Sequence, residues 1–238
     1  MTKLIRLNKY LSDSGICSRR KADEHICCGD VYINNKKASV GEKINPNIDK
    51  VFFKSKIVEN DQKKIYLALY KPVGIVSTLK SQKNEKNLLS LINVKERVYP
   101  IGRLDKDSEG LMILTNDGNL TKKLTHPKYE HQKEYQVFAE DESGKLSNDK
   151  LINKFEKGIK INHVNMKVDK VFDIEISGKR AKFKLIMHTG FNRQIRRMSA
   201  IINLRVTRII RTRLSNLKLE NLNLKPGQSR EISIKDIL

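Results

Sequence analysis

The loop Gly102-Arg103-Leu104-Asp105-Lys106-Asp107-Ser108-Glu109-Gly110 sets three carboxylates between cations, with a glycine at each end that lets the backbone turn sharply. A carboxylate at a strand edge that faces an arginine from another segment is held ionised, and can act as a nucleophile or a base. As a plain charged connection the same loop would do no chemistry. Spacing does not choose among Asp105, Asp107 and Glu109, and it does not name the reaction. Between Ile176 and Leu219 the chain carries twelve Lys and Arg and no carboxylate, including Arg193, Arg196, Arg197, Arg205, Arg208, Arg211 and Arg213. Any one of these is an ordinary surface charge, but seven so close together without a counter-charge suit a groove for a polyanion such as RNA. Cys17, Cys27 and Cys28, with His25 nearby, lack the spaced pairs of a zinc site and are expected to be reduced, partly buried thiols.

The elements that must position these groups fall into two parts. In the first, Leu7, Tyr10 and Leu11 share one face of a short helix over 6–11 that Gly15 can stop. Ser18 reads as the N-cap of a second helix with Ala22 and Ile26 on its inner face and Gly29 beyond its end. Strands are expected at Val31–Ile33 and Val51–Phe53, making a small basic α+β module whose Ser18, Arg19 and Arg20 suit a phosphate backbone. A polar stretch around 61–64 reads as the linker between domains at 1–60 and 65–238. In the second part, Ile65–Tyr70 reads as a buried strand, Lys71-Pro72-Val73-Gly74 as a turn, and Ile75-Val76-Ser77-Thr78 as the strand's resumption. Further strands are expected at 98–101, 111–115, 133–138, 168–176, 181–187 and 205–213, with helices from Asn119, over 146–156 and over 192–202. The second domain is therefore expected to be mixed α/β, an extended sheet flanked by helices.

Composition bounds the partners. Forty-eight Lys and Arg against 27 Asp and Glu give a net charge of +21 over 238 residues, which points to nucleic acid more than to an acidic membrane, since no basic amphipathic helix or lipidation motif stands out. No apolar run is long enough to span a bilayer, and the start Met1-Thr2-Lys3-Leu4-Ile5-Arg6 has charge without a following apolar block. A cytoplasmic protein is expected.

Several segments carry a resemblance. Arg6–Leu11, Gly15-Ile16-Cys17-Ser18-Arg19-Arg20 and Val31–Asn34 resemble the S4 RNA-binding domain. Lys71–Thr78, Gly102-Arg103-Leu104-Asp105, Gly110–Gly118, Lys133-Glu134-Tyr135 and Gly190–Met198 are similar, in order, to the motifs of the bacterial rRNA pseudouridine synthases of the small-subunit-synthase-like family. The likeness is closest to a subgroup acting on 23S rRNA, whose long basic C-terminal tail has no counterpart before the end at Leu238.

The resemblance implies an α+β protein: a small S4-like RNA-binding domain, then a mixed α/β synthase domain with an extended, mostly antiparallel sheet. It implies Asp105 as the catalytic aspartate, Tyr135 as the tyrosine packed on the target base, and Arg196 as the partner of Asp105, with Arg193 close enough to leave that pairing open. Arg103 matches the arginine that fills the space of the extruded base. Arg193, Arg197 and, in the first module, Arg6, Lys9, Ser18, Arg19 and Arg20 are expected to bind the substrate. Isomerisation of uridine balances all its atoms, so neither cofactor nor metal is expected. The expected partner is 23S rRNA or an assembling large ribosomal subunit, with tRNA a further substrate, and the protein a monomer. His126 and His188 are expected to be satisfied structural histidines and Asp107 a loop charge. The alternative from another class is a non-catalytic RNA-binding ribosome-assembly factor, which would have no need of Asp105.

Overall fold

A computed structural model describes residues 4–79 and 85–238; Met1-Thr2-Lys3 of the N-terminal reading lie outside the described residues. The chain forms two compact units, the first running to Ile65 with short pieces at 95–97 and 116–118, the second comprising the remainder.

In the first unit the helices Leu7–Asp13 and Arg19–Cys28 pack on the strands Val31–Ile33 and Val51–Phe53. Ser18 caps the second helix by accepting the Lys21 N–H, and Gly29 ends it in the left-handed conformation at φ 83°. Leu7, Leu11, Ala22, Ile26, Val31 and Val51 close the core, and Tyr10 buries its ring while its hydroxyl donates to the Val58 carbonyl. Cys17 is half-buried as expected, but Cys27 and Cys28 are exposed, correcting the expectation of partly buried thiols at those two positions: both stand at the end of a helix whose inner face is taken by Ala22 and Ile26.

The second unit is built on a nine-stranded sheet in the order 170–177, 180–187, 133–141, 204–214, 109–115, 66–71, 229–231, with Tyr99–Pro100 and Leu217–Lys218 as side branches. Among the described residues every strand pairing along this order is antiparallel except that of Leu204–Leu214 with Glu109–Thr115. The helices Asn148–Lys157 and Gln194–Ile201 cover one face through Leu151, Phe155, Ile195 and Met198, against Val137, Phe183, Leu185 and Ile209. The helix Gly118–Thr125 contributes Leu120 and Leu124 to a second cluster with Ile101, Leu111 and Ile113.

Register explains how the site is assembled. Leu185 stands opposite Tyr135, Tyr135 opposite Arg211, Arg211 opposite Gly110, and Gly110 opposite Lys71. Residues in cross-strand register project to the same face, so one row crosses five strands. Gly110 is required within it: its φ is +113°, and a Cβ there would lie 2.4 Å from the Arg211 carbonyl oxygen. The strand does not resume at Ile75–Thr78 as expected; it ends at Lys71, and Val76 forms only an isolated bridge to Asn87. The edge strand Ser229–Glu231 and the hairpin of Ile159–Ile161 with Val164–Met166 carry no expectation from sequence, being only three residues each.

Candidate active site

The segment after Lys71 cradles the carboxylate loop. Lys71 Nζ donates to the Ser108 carbonyl at 2.7 Å, the Gly74 N–H to the Lys106 carbonyl at 2.7 Å, and the Ser77 hydroxyl to the Leu104 carbonyl while accepting the Leu104 N–H at 3.0 Å. Three alternate carbonyls, those of residues 104, 106 and 108, are thereby fixed, and the intervening Asp105 and Asp107 are held in a defined backbone. Asp105 is half-buried and lines a cleft of about 580 Å³ together with Arg103, Tyr135, Arg193, Arg196 and Arg211.

The two arginines do not pair with Asp105. Arg193 forms a two-point contact with Asp107, at 3.1 and 2.9 Å, and Arg196 Nε lies 3.2 Å from Asp107 Oδ2. Arg196 further donates to the Asp107 carbonyl at 2.9 Å and the Val206 carbonyl at 3.0 Å. Their i, i+3 spacing at the start of the helix Gln194–Ile201 puts both on one side, and Arg193, at φ 50°, ends the turn before it. Asp107 is therefore no free loop charge. Partial burial raises its carboxyl, but the Arg193 hydrogen bonds and both guanidinium charges outweigh this and hold it below the usual value.

Beneath the loop lie two buried cations. Arg211 is 2% exposed; its Nε donates to the Leu111 carbonyl at 2.7 Å, and one buried Nη finds no partner among the described residues. Lys71, fully buried, donates to the Pro72 and Ser108 carbonyls, and burial pulls its pKa down to about 8 against the opposing pull of Asp105 and Asp107. Composition counts Arg211 merely among basic residues; what distinguishes it is its burial in the sheet.

The counter-charges missing from the sequence between Ile176 and Leu219 come from other strands. Arg205 pairs with Glu140 and Glu142, Arg208 with Glu109, and Arg213 with Glu134. The expected unopposed groove is thus corrected, because strand pairing delivers carboxylates that are distant in sequence. Arg197 is half-buried and not among the residues lining the cleft. His126 and His188 do line it, His188 holding Asp169 at 2.6 Å and His126 accepting the Lys128 N–H. In the first unit Arg6, Ser18, Arg19 and Arg20 are exposed; Arg19 also donates to Asn8 at 3.2 Å, and Lys9 pairs with Asp13.

Comparison with known proteins bears on both units. Residues 65–200 match the model of the RNA pseudouridylate synthase family, and residues 5–47 that of the S4 domain. A dual-specificity RNA pseudouridine synthase RluF of Escherichia coli O6:H1 is 38% identical over 238 residues, covering 98% of this chain and 77% of that one. The ribosomal large subunit pseudouridine synthase B of Bacillus subtilis is 34% identical over 98% of this chain and 93% of its own. A crystal structure of a pseudouridylate synthase superimposes with a TM-score of 0.65 at 23% identity, covering 98% of each chain, and so shares the fold. With a synthase model matching residues 65–200, most of the unit that holds the cleft, and an S4 model on the unit before it, the chain belongs to the RNA pseudouridylate synthase family.

Proposed function

We propose that this enzyme converts a defined uridine of 23S rRNA to pseudouridine, acting as a cytoplasmic monomer on the RNA or the assembling large subunit, with a tRNA as a second substrate. The observation that carries this reading is a single cleft in which Asp105, Tyr135 and Arg103 come together. The target uridine leaves its stack, and the Arg103 side chain, exposed at the cleft, takes the vacated space. Asp105 attacks the ribose or removes a ribose proton; the bond from N1 to C1′ breaks, C5 bonds to C1′, C5 loses its proton and N1 gains one. Tyr135 packs on the base, and its hydroxyl can serve the proton transfer at C5. Arg211, one Nη of which lies buried without a hydrogen-bond partner among the described residues, keeps a positive charge at the wall of the cleft that Asp105 lines. Arg193 and Arg196, through Asp107, act as positioning residues for the loop.

The test is pseudouridine mapping by carbodiimide modification and primer extension, on 23S rRNA and tRNA from cells with and without the protein. One stop in 23S rRNA that vanishes without the protein is expected. The Asp105→Asn variant should not restore it, while binding RNA nearly as well as the parent, because phosphate contacts supply most of the affinity. An Asn variant that restores the stop would remove Asp105 from its role.

A further inference from the structure

Exposed aromatic side chains are few on this protein: among the described residues they are Tyr32, Tyr129 and Phe191. Phe191, 44% exposed, lines the cleft, and Tyr129, 41% exposed, belongs to the segment 126–131, four of whose residues line it. A lone exposed aromatic needs no explanation, but one that lines the cleft with a second on a segment that borders it does. Both are held in place. The buried Gln194 accepts the Phe191 N–H at 3.2 Å and the Thr189 hydroxyl at 3.3 Å, and donates to the Lys167 carbonyl at 2.8 Å. Lys133 ties the same turn from below through the His188 carbonyl at 2.8 Å. Tyr129 ends a short 3₁₀ turn, its ring edge-on to His126 at 6.2 Å and the Lys128 ammonium 4.7 Å from its centre.

We propose that Phe191 and Tyr129 are stacking platforms for the nucleobases beside the target uridine, making the cleft mouth a subsite for unpaired RNA. The inference rests on the proposed pseudouridine synthase reaction. When the target base is extruded, its neighbours lose a stacking partner, and a pre-positioned aromatic face replaces it without regard to base identity. The turn pinned by Gln194 means that little side-chain and loop freedom is given up on binding. Lys128 adds a cation where the RNA backbone must pass.

The probe is a synthetic RNA stem-loop carrying the mapped uridine with tritium at C5, whose release reports isomerisation, made intact and with an abasic site at either neighbour. On intact RNA, Phe191→Ala should raise the half-saturating concentration roughly 5- to 150-fold, Tyr129→Ala likewise, and Phe191→Trp should keep the parent value. The salt slope of binding should not change, since every phosphate keeps its cation. At least one abasic RNA should be bound as weakly by the parent as intact RNA is by the alanine variant, with little further loss on combining them. Parent-like binding by both alanine variants, or equal losses on intact and abasic RNA, would overturn the proposal. If the parent enzyme releases no tritium from the intact RNA, the proposed reaction fails, and the subsite with it.

Discussion

Lys71 and Arg211 flank a residue without a side chain, Gly110, and so place two cations under the Asp105 loop that are held by backbone carbonyls. The arrangement is costly, because a buried ammonium held by carbonyls has given up most of its hydration. Lys71 registers that cost as a pKa of about 8, below its ordinary 10.5. Between these values the unfolded chain holds the proton and the native chain releases it, so stability rises with pH across that interval. Lys71→Met abolishes this titration. The stability of the parent relative to Lys71→Met should therefore climb from pH 8 to pH 10, by at most about 3 kcal/mol. Urea denaturation of both proteins at pH 7, 8, 9 and 10 measures it, and parallel pH curves would show that Lys71 is not buried as a cation. The Met variant should also turn over more slowly at pH 7, since the Ser108 carbonyl no longer has its anchor.

Among the elements, the least tolerant is the parallel pairing of Glu109–Thr115 with Leu204–Leu214, registered through only Glu109 and Gly110. Gly110→Ala would drive a methyl group into the Arg211 backbone and should cost several kcal/mol together with the activity. Gly102→Ala, at φ +73° with nothing within 4 Å of the new methyl, should cost only about 1 kcal/mol. Thermal melts of the two variants distinguish a close approach from mere conformational strain; equal losses would refute it. The same contrast, between local and distant causes, governs what is legible in the sequence. Helix ends at Ser18 and Gly29 rest on chemistry within a turn or two, and most strands announce themselves by apolar periodicity. The ends of the Asp105 loop show in its glycines, but the work of Lys71–Ser77 does not: its apolar residues look like a strand, while its hydrogen bonds serve a loop some thirty residues on. Asp107 looks like a bystander in the sequence because both its arginines lie more than eighty residues away. Of the site residues, Asp105, Tyr135 and Arg103 stand out through family likeness, and Arg211 is singled out only by its burial.

For the molecule as a whole, a net charge of +21 overstates the cations free to meet RNA. On the sheet of the second unit Arg205, Arg208 and Arg213 are matched by carboxylates, whereas Arg20 in the first unit is exposed at a helix start capped by Ser18. Removing one cation that neutralises a phosphate should flatten the dependence of log affinity on log salt by about 0.7 to 0.9, whereas removing an arginine already paired within the protein releases no RNA counterion. Arg20→Ala should therefore weaken binding and flatten the slope by about one phosphate, raising KM far more than it lowers kcat. Arg205→Ala should leave the slope unchanged although it removes the same formal charge. Asp105→Asn should leave the slope unchanged as well while abolishing turnover, since in the proposed reaction its carboxylate meets the ribose and not a phosphate. Filter binding and single-turnover kinetics on one rRNA transcript over a salt series measure all three. A flattened slope for Arg205→Ala with none for Arg20→Ala would place the RNA on the exposed sheet face and remove the S4 unit from substrate binding.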